Sequence, residues 1–144
     1  MTATREDGAA ALAALADAYS MTGAAWELGP NQIYDRLSER VVGTTGVDWS
    51  GRRVLDVGAG TGAGSRALRS AGASPIATDV SSEMLRAATP PTPSAVADAR
   101  ALPIADAAVD GYLAAFCLNH LVDPEVALRE AVRVVHPNGP IVVT

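Results

Sequence analysis

The chain has 144 residues, enough for one domain with a hydrophobic core. Its formal charge is −5 and it contains no basic cluster, which disfavours a nucleic-acid partner. All 11 basic residues are arginine, so a P-loop lysine and a Schiff-base lysine are both absent. The composition therefore excludes P-loop nucleotide hydrolysis and pyridoxal-phosphate chemistry and favours a small-molecule ligand.

Cys117 is the only cysteine, so an intrachain disulfide and a cysteine-based zinc cluster are both excluded. The N-terminal segment lacks the basic start and apolar core of a signal peptide, and no apolar run approaches the length of a membrane span. We expect a cytoplasmic protein without a bound metal or a membrane partner.

Two helices are predicted in an N-terminal helical lid and linker, residues 1–50. The first is the alanine-rich segment 8–20, and the second, 30–42, begins at a proline suited to a first helical turn. The second helix carries one apolar stripe at four-residue spacing, formed by Ile33, Leu37 and Val41.

Short apolar segments alternate with helical ones over residues 51–144, which indicates a parallel sheet covered by helices. The predicted strands are 53–57, 75–79, 94–97, 109–116 and 140–144, and the predicted helices are 62–71, 81–88 and 123–135. The last helix has Asp123 as its expected N-cap and Pro124 in its first turn. Its predicted buried face comprises Leu128, Ala131, Val132 and Val135.

The segment VLDVGAGTG, residues 54–62, is a predicted strand that ends in glycines at alternate positions. Such a turn lets a ligand approach backbone groups closely. Asp79 ends the next strand, 21 residues after Gly58, where a carboxylate can accept hydrogen bonds from both ribose hydroxyls of an adenosine. Continued to Ala63, the segment also fits the dinucleotide pattern G-x-G-x-x-G/A, so these features alone leave the ligand open.

Asp56 distinguishes a dinucleotide from other adenosine-containing ligands, because its carboxylate comes just before the glycine turn. The pyrophosphate of a dinucleotide would be repelled there, whereas an ammonium or sulfonium group would be attracted. S-adenosylmethionine carries both cationic groups beside its adenosine. Gly62 also falls one position earlier than the third glycine of the dinucleotide pattern.

These motifs, taken in order, resemble those of class I S-adenosylmethionine-dependent methyltransferases, and most closely the branch that acts on small molecules in ubiquinone and menaquinone biosynthesis. The resemblance covers about the last two thirds of the chain. It runs through VLDVGAGTG (54–62), ATDVSSEML (77–85), ADARALPIADAAVD (97–110) and LNHLVDPEVALREAVRVVHPNG (118–139). It implies a Rossmann-like α/β fold with strand order 3-2-1-4-5, flanking helices and an N-terminal helical segment.

The resemblance also implies site residues. The methionine part would lie at the glycine turn, the ribose at Asp79, and the adenine near Met84 and the edge formed by Asp98 and Ala99. The segment from Phe116 to His120 would border the transferred methyl group. The implied cofactor-binding residues are Asp56, Gly58, Ala59, Gly60, Asp79, Val80, Met84, Asp98, Ala99 and Phe116.

Each assignment has a structural alternative. Asp56 could bond backbone amides of its own turn, Asp79 could cap the helix near Ser81, and Asp98 could be a turn residue. Met84 could belong to the core. His120 is the candidate general base for the acceptor, and its alternative is a loop-capping role.

We therefore expect an enzyme that transfers a methyl group from S-adenosylmethionine to a small-molecule acceptor. Three aromatic residues of the N-terminal helices, Tyr19, Trp26 and Tyr34, are candidates to close over the cofactor or line the acceptor pocket. Two alternatives remain at this stage: an NAD-type oxidoreductase domain, and a non-catalytic cofactor-binding or interaction domain.

The fifth predicted strand, IVVT, lies at the end of the sequence. In the resembled family, two further strands normally follow. An apolar strand with one free edge is a template for pairing. The expectation is a chain that is incomplete after this strand and that pairs there as a homodimer or with a partner chain.

Overall fold

The computed structural model describes residues 29–144 together with Ala10, Ala13, Ala14 and Asp17. These four residues are helical and fall within the predicted helix 8–20. The remainder of that predicted helix lies outside the described residues, as do Tyr19 and Trp26.

Helices and strands alternate along residues 29–144, except that no helix separates the third and fourth strands, and this order matches the predicted one. A short 3₁₀ turn, Leu118–His120, precedes the last helix. The elements are α1 (Pro30–Thr44), β1 (Arg53–Val57), α2 (Ala63–Ser70), β2 (Ser74–Asp79), α3 (Ser82–Ala87), β3 (Ser94–Val96), β4 (Gly111–Ala114), α4 (Pro124–Val134) and β5 (Ile141–Val143).

The five strands form one parallel sheet with the order β3-β2-β1-β4-β5. The strand order reverses between β1 and β4. In such sheets, ligands bind in the crevice beyond the carboxyl ends of the strands at this point. Asp56 of β1 stands in register with Ala77 of β2 and Leu113 of β4. The predicted Rossmann-like α/β fold and its strand order are confirmed.

Alternate residues of β1 pack into cores on opposite faces of the sheet. On one face, Leu55 and Val57 pack in a cluster with small residues of α4. On the other face, Val54 packs with Leu68 of α2 and Val42 of α1. Because side chains alternate along a strand, Asp56 points to the same face as Val54, toward α2.

The predicted buried face of α4 is correct at two of its four positions, since Ala131 and Val135 are buried. It is wrong at Leu128 and Val132, which are 40% and 69% exposed, and the helix buries Ala127 and Val134 instead. The helix has two overlapping apolar stripes, and the stripe with alanines permits a closer approach to the sheet. The expected cap is also absent: the Asp123 side chain makes no capping hydrogen bond, although its carbonyl oxygen accepts one from the Val126 N–H at 3.1 Å.

The predicted stripe of α1 is wrong at two of its three positions, because Ile33 is 63% exposed and Leu37 is 40% exposed. The third residue, Val41, is partly buried against the core. The residues that α1 buries are Ser38 and Val42, on the adjacent stripe. Apolar periodicity favours the first stripe, but the helix packs with its more polar face toward the carboxyl ends of the strands.

Candidate functional site

One cleft opens at the carboxyl ends of β1, β2 and β4 and is roofed on one side by α1. All ten predicted cofactor-binding residues and His120 line it. Other residues of its wall are Asn31, Tyr34, Ser38, Val57, Thr61, Ala63, Gly64, Ala97, Ala115, Cys117 and Leu121. The fold thus brings the sequence-predicted set together, while contact of these residues with a cofactor remains a prediction.

The glycine turn after β1 is held against both neighbouring strands. The Ala59 N–H donates to the Thr78 carbonyl at 3.0 Å. Gly58 has φ +66°, and a Cβ there would lie 2.4 Å from the Cβ of Cys117. This position therefore needs glycine both for its backbone conformation and for the close packing of Cys117.

The Asp79 carboxylate joins the end of β2 to the glycine turn. Its Oδ2 accepts a hydrogen bond from the Gly60 N–H at 2.8 Å, and its Oδ1 accepts one from the Ser81 N–H at 2.9 Å. The cap of α3 is Ser81, whose Oγ accepts from the Met84 N–H at 3.2 Å. Asp79 is therefore not the side-chain cap of that helix. Burial raises its pKa, and these backbone hydrogen bonds oppose the rise.

Asp56 is buried between the glycine turn and the first turn of α2. Its Oδ2 accepts a hydrogen bond from Ser65 Oγ at 2.6 Å, and the Ser65 backbone N–H also bonds this carboxylate. A Cβ at Gly64 would stand 2.7 Å from Asp56 Oδ1, so the approach requires glycine. Burial raises the pKa of Asp56 to about 6, against the opposing effect of the Ser65 hydrogen bonds.

The amide that Asp56 bonds belongs to Ser65 in α2 and not to the glycine turn, so the structural alternative differs from the one expected. The carboxylate also lines the cleft, where its contact with a cofactor remains a prediction. Sequence reasoning missed its partners, Ser65 and Gly64. The pair G-S directly after a glycine-rich turn is the only local signal for them, and it does not identify which acceptor the serine binds.

Asp98 forms a two-pronged ion pair with Arg100. The distances from Oδ2 to Nε and Nη2 are 3.1 and 2.9 Å. Asp98 Oδ1 also accepts from the Arg100 N–H at 2.9 Å, so the carboxylate stabilises a local turn while lining the cleft beside Ala99. The hydrogen bonds that Arg100 donates to Asp98 raise the pKa of Arg100, which remains a cation.

The opposite wall of the cleft contains an aromatic pair from two distant elements. The rings of Tyr34 on α1 and Phe116 after β4 meet edge to face, with centroids 5.6 Å apart. Phe116 has φ +61°, an unfavourable conformation for an aromatic residue, and its N–H donates to Thr144 Oγ1 at 3.1 Å. Of the three predicted aromatic candidates, Tyr34 thus lies in the wall.

Asn31, which sequence reasoning missed, connects α1 to the glycine turn. Its Oδ1 accepts a hydrogen bond from the Thr61 Oγ1. Both residues line the cleft, so α1 is bonded to the turn directly at the rim of the site.

Cys117 and His120 follow β4 on the ligand side of the sheet. The Cys117 Sγ donates to the Val57 carbonyl at 3.2 Å, and burial raises its pKa to about 12. The thiol is therefore protonated at neutral pH and packs against the glycine turn at Gly58. His120 ends the 3₁₀ turn and is exposed at the cleft rim.

Acidic residues and histidines in the described part of the chain do not form a group of three or more that could hold a metal ion. Within residues 29–144 and the four described residues before them, no helix is both long and apolar enough to cross a membrane.

Comparison with known proteins relates this arrangement to one family. A family model described as a methyltransferase domain matches residues 55–143, from the middle of β1 to the end of β5. The demethylmenaquinone methyltransferases of Mycolicibacterium paratuberculosis and Renibacterium salmoninarum are 35% and 36% identical over 126 and 132 residues. These alignments cover 87% and 90% of this chain but 53% and 54% of the relatives, so the chain spans about half their length.

Among solved structures, a similar chain is a methyltransferase of Haloferax volcanii in complex with the Trm112 methyltransferase activator. Its TM-score is 0.75 at 26% sequence identity, and the match covers 84% of this chain and 57% of that one.

Proposed function

Since the chain belongs to the methyltransferase domain family, of the class I S-adenosylmethionine-dependent type, we propose that its cleft binds S-adenosylmethionine for methyl transfer to a small-molecule acceptor. The observation that carries the proposal is the placement of two carboxylates around one glycine turn, the buried Asp56 and the partly buried Asp79. Asp56 lies beneath the turn toward α2, and Asp79 bonds the turn from the end of β2.

The cleft residues fit the cofactor chemically. Gly58 and Gly60 leave the turn without side chains on a wall of the cleft. Asp79 would accept hydrogen bonds from the ribose hydroxyls, and Asp56 would attract the cationic amino acid end. Met84 and Ala99 would contact the adenine, with Asp98 at its polar edge. Bound there, the cofactor supplies an activated methyl group, and the task of the chain is to hold donor and acceptor in line.

The same geometry disfavours a dinucleotide. In dinucleotide sites the pyrophosphate is bound by free N–H groups at the N-terminus of the helix after the glycine turn. Here the Ser65 N–H, in the first turn of α2, already bonds the Asp56 carboxylate. A pyrophosphate would have to displace this bond and approach a buried anion.

For the acceptor, we propose an apolar, ring-containing molecule with acidic hydroxyls, of the reduced-quinone class. The relatives named as demethylmenaquinone methyltransferases support this class. Tyr34, Phe116 and Leu121 offer apolar surface on the wall where such a ring would lie. His120, at the rim of the same wall, is the proposed base that takes the hydroxyl proton.

The test is transfer of a labelled methyl group from S-adenosylmethionine to a reduced demethylnaphthoquinone. Label in the organic phase, dependent on the acceptor and removed by S-adenosylhomocysteine, would support the proposal. Tight binding of S-adenosylhomocysteine with no label transferred to any reduced quinone would favour the alternative of a non-catalytic cofactor-binding domain.

Two further parts of the proposal concern assembly and location. Within the described residues, β5 pairs only with β4, which supports association of its free edge with a second copy or a partner chain. The Haloferax relative, solved with an activator protein, supports the partner-chain form. The lone cysteine supports a reducing, cytoplasmic location. Sedimentation of the purified chain would test the association.

A further inference from the structure

We propose that Arg66 is a positioning residue that latches the lid helix α1 onto the glycine turn, and that this latch sets how long a bound cofactor stays in the cleft. The inference rests on the proposed function, because it takes the cleft as the cofactor site. Arg66 lies outside the lining of the cleft, so it would act through the segments that it joins.

The first of these segments is α1. The Arg66 guanidinium bonds Asp35 Oδ1 through both Nε and Nη2, at 3.0 and 2.6 Å. Both side chains are about one-third exposed or less, 27% for Arg66 and 36% for Asp35. The pair is therefore partly shielded, and charge-assisted hydrogen bonds of this kind are stronger than neutral ones.

The same guanidinium reaches two more segments through Nη1. It donates to the Thr61 carbonyl in the glycine turn and to the Thr89 carbonyl after α3, each at 2.8 Å. One side chain thus connects the lid, the glycine turn and the connection that follows the helix carrying Met84. The planar fork of arginine suits this role, since its several N–H groups diverge at fixed angles.

These contacts matter because α1 carries parts of the cleft wall on either side of Asp35. Tyr34 precedes Asp35 directly and meets Phe116, and Asn31 lies one helical turn earlier and bonds Thr61. If the bond between Arg66 and Asp35 is lost, this end of α1 is still held over the cleft by the Asn31 hydrogen bond and the aromatic pair, but by fewer contacts than before. We therefore expect the lid to open more often.

Arg69 provides a matched control on the same helix. It bonds Thr92 Oγ1 at 2.9 Å and the Pro91 carbonyl at 3.4 Å, so it also anchors the connection after α3. Within the described residues, it makes no hydrogen bond to α1 or to the glycine turn. An effect of merely loosening α2 or that connection should therefore appear in Arg69→Ala as well as in Arg66→Ala.

The experiment measures the dissociation rate of S-adenosylhomocysteine by stopped-flow competition in the wild type, R66A, D35A, the double variant and R69A. We expect R66A and D35A each to raise the rate by about tenfold, the change equivalent to about 1.4 kcal/mol. The double variant should be no faster than R66A, because both changes break one interaction. R69A should dissociate at the wild-type rate even if its melting temperature falls.

Arg66→Lys supplies a second check, because lysine keeps the charge beside Asp35 but lacks the planar fork. Its rate should lie between those of the wild type and R66A. Equal dissociation rates in R66A and the wild type, or equal increases in R66A and R69A, would overturn the latch.

A measurement without ligand separates this inference from the proposed function. Hydrogen exchange of residues 30–44 in the ligand-free chain should be faster in R66A than in the wild type and R69A. If the wild type fails to bind S-adenosylhomocysteine, the proposed function is wrong, and exchange alone decides the latch. Unchanged exchange in R66A would then refute it.

Discussion

The backbone N–H of Gly60 donates to Asp79 Oδ2 at 2.8 Å, which joins the glycine turn after β1 to the end of β2. The other carboxylate oxygen accepts from the Ser81 N–H at the entry to α3. The two sequence motifs proposed to bind opposite parts of one cofactor are thus one hydrogen-bonded unit. Asp79 accordingly has a structural role as well as its proposed ligand role.

Asp79→Ala should weaken S-adenosylhomocysteine binding by about 1–3 kcal/mol, because the ribose hydroxyls and the Gly60 N–H lose their acceptor. Asp79→Asn keeps one acceptor oxygen and should lose less. Calorimetric titration gives both affinities. Asp106→Ala is the control, since Asp106 is exposed and pairs with Arg133 outside the cleft. Equal affinities for D79A and D106A would refute the ribose assignment.

Stability should depend on pH through Asp56. Because burial raises its pKa to about 6, the folded chain binds this proton more tightly than the unfolded chain does. The contribution of Asp56 to stability is then greatest below pH about 4 and is lost as pH rises through about 6. In urea unfolding, the stability advantage of the wild type over Asp56→Asn should shrink over this interval. An advantage that is constant with pH would contradict the raised pKa.

Ligand binding should show the opposite dependence on pH. The ammonium group of S-adenosylhomocysteine favours ionised Asp56, so its affinity should fall as pH drops through about 6. Methylthioadenosine, which keeps the adenosine but lacks the amino acid end, is the matched ligand, because it reports any common effect of Asp79. The amino acid end would not lie at Asp56 if both ligands lost affinity in parallel.

Substitution of the two central glycines, Gly58 and Gly60, should impair the protein for different reasons. Gly58→Ala places a Cβ against Cys117 at positive φ and should destabilise folding by about 2–4 kcal/mol. Gly60→Ala meets only the flexible end of Met84, at 3.3 Å, so folding should lose about 1–2 kcal/mol from its φ of +52°. Thermal unfolding measures the loss of stability, and titration with S-adenosylhomocysteine measures the loss of binding. We expect G60A to fold and bind poorly; normal binding by G60A would place the ligand away from the turn.

His120→Ala should lower kcat about 100-fold or more if His120 removes the acceptor proton, with cofactor affinity unchanged. The matched variant is Asn119→Ala, the preceding exposed residue of the 3₁₀ turn, which does not line the cleft. Methyl-transfer kinetics with both variants would show the difference. Wild-type turnover in H120A would mean that positioning alone supports the reaction.

Much of the fold follows from short-range patterns in the sequence. Apolar strands that alternate with helical segments predicted the parallel sheet, and glycine spacing with Asp56 and Asp79 predicted the turn where the cleft opens. These features are local: a strand, its glycine turn and the next strand are read from consecutive residues.

The errors concern helix faces and long-range partners. In α4 two apolar stripes compete, and periodicity cannot tell which one allows the closer approach to the sheet. In α1 the buried face includes the polar Ser38, which apolar periodicity does not select. The bond between Asn31 and Thr61 spans 30 positions in the sequence, and the bond between Arg66 and Asp35 spans 31. No spacing rule selects such pairs. Phe116, which has a strained φ, likewise contacts Thr144 and Tyr34, and both are distant from it in sequence.

The central claim is that the cleft takes S-adenosylmethionine rather than a dinucleotide. Isothermal titration of one preparation with S-adenosylhomocysteine and with NAD, in parallel and near neutral pH, tests it most directly. We predict saturable binding of S-adenosylhomocysteine, weakened in Asp79→Ala, and no heat of binding with NAD. Binding of NAD without binding of S-adenosylhomocysteine would contradict the account.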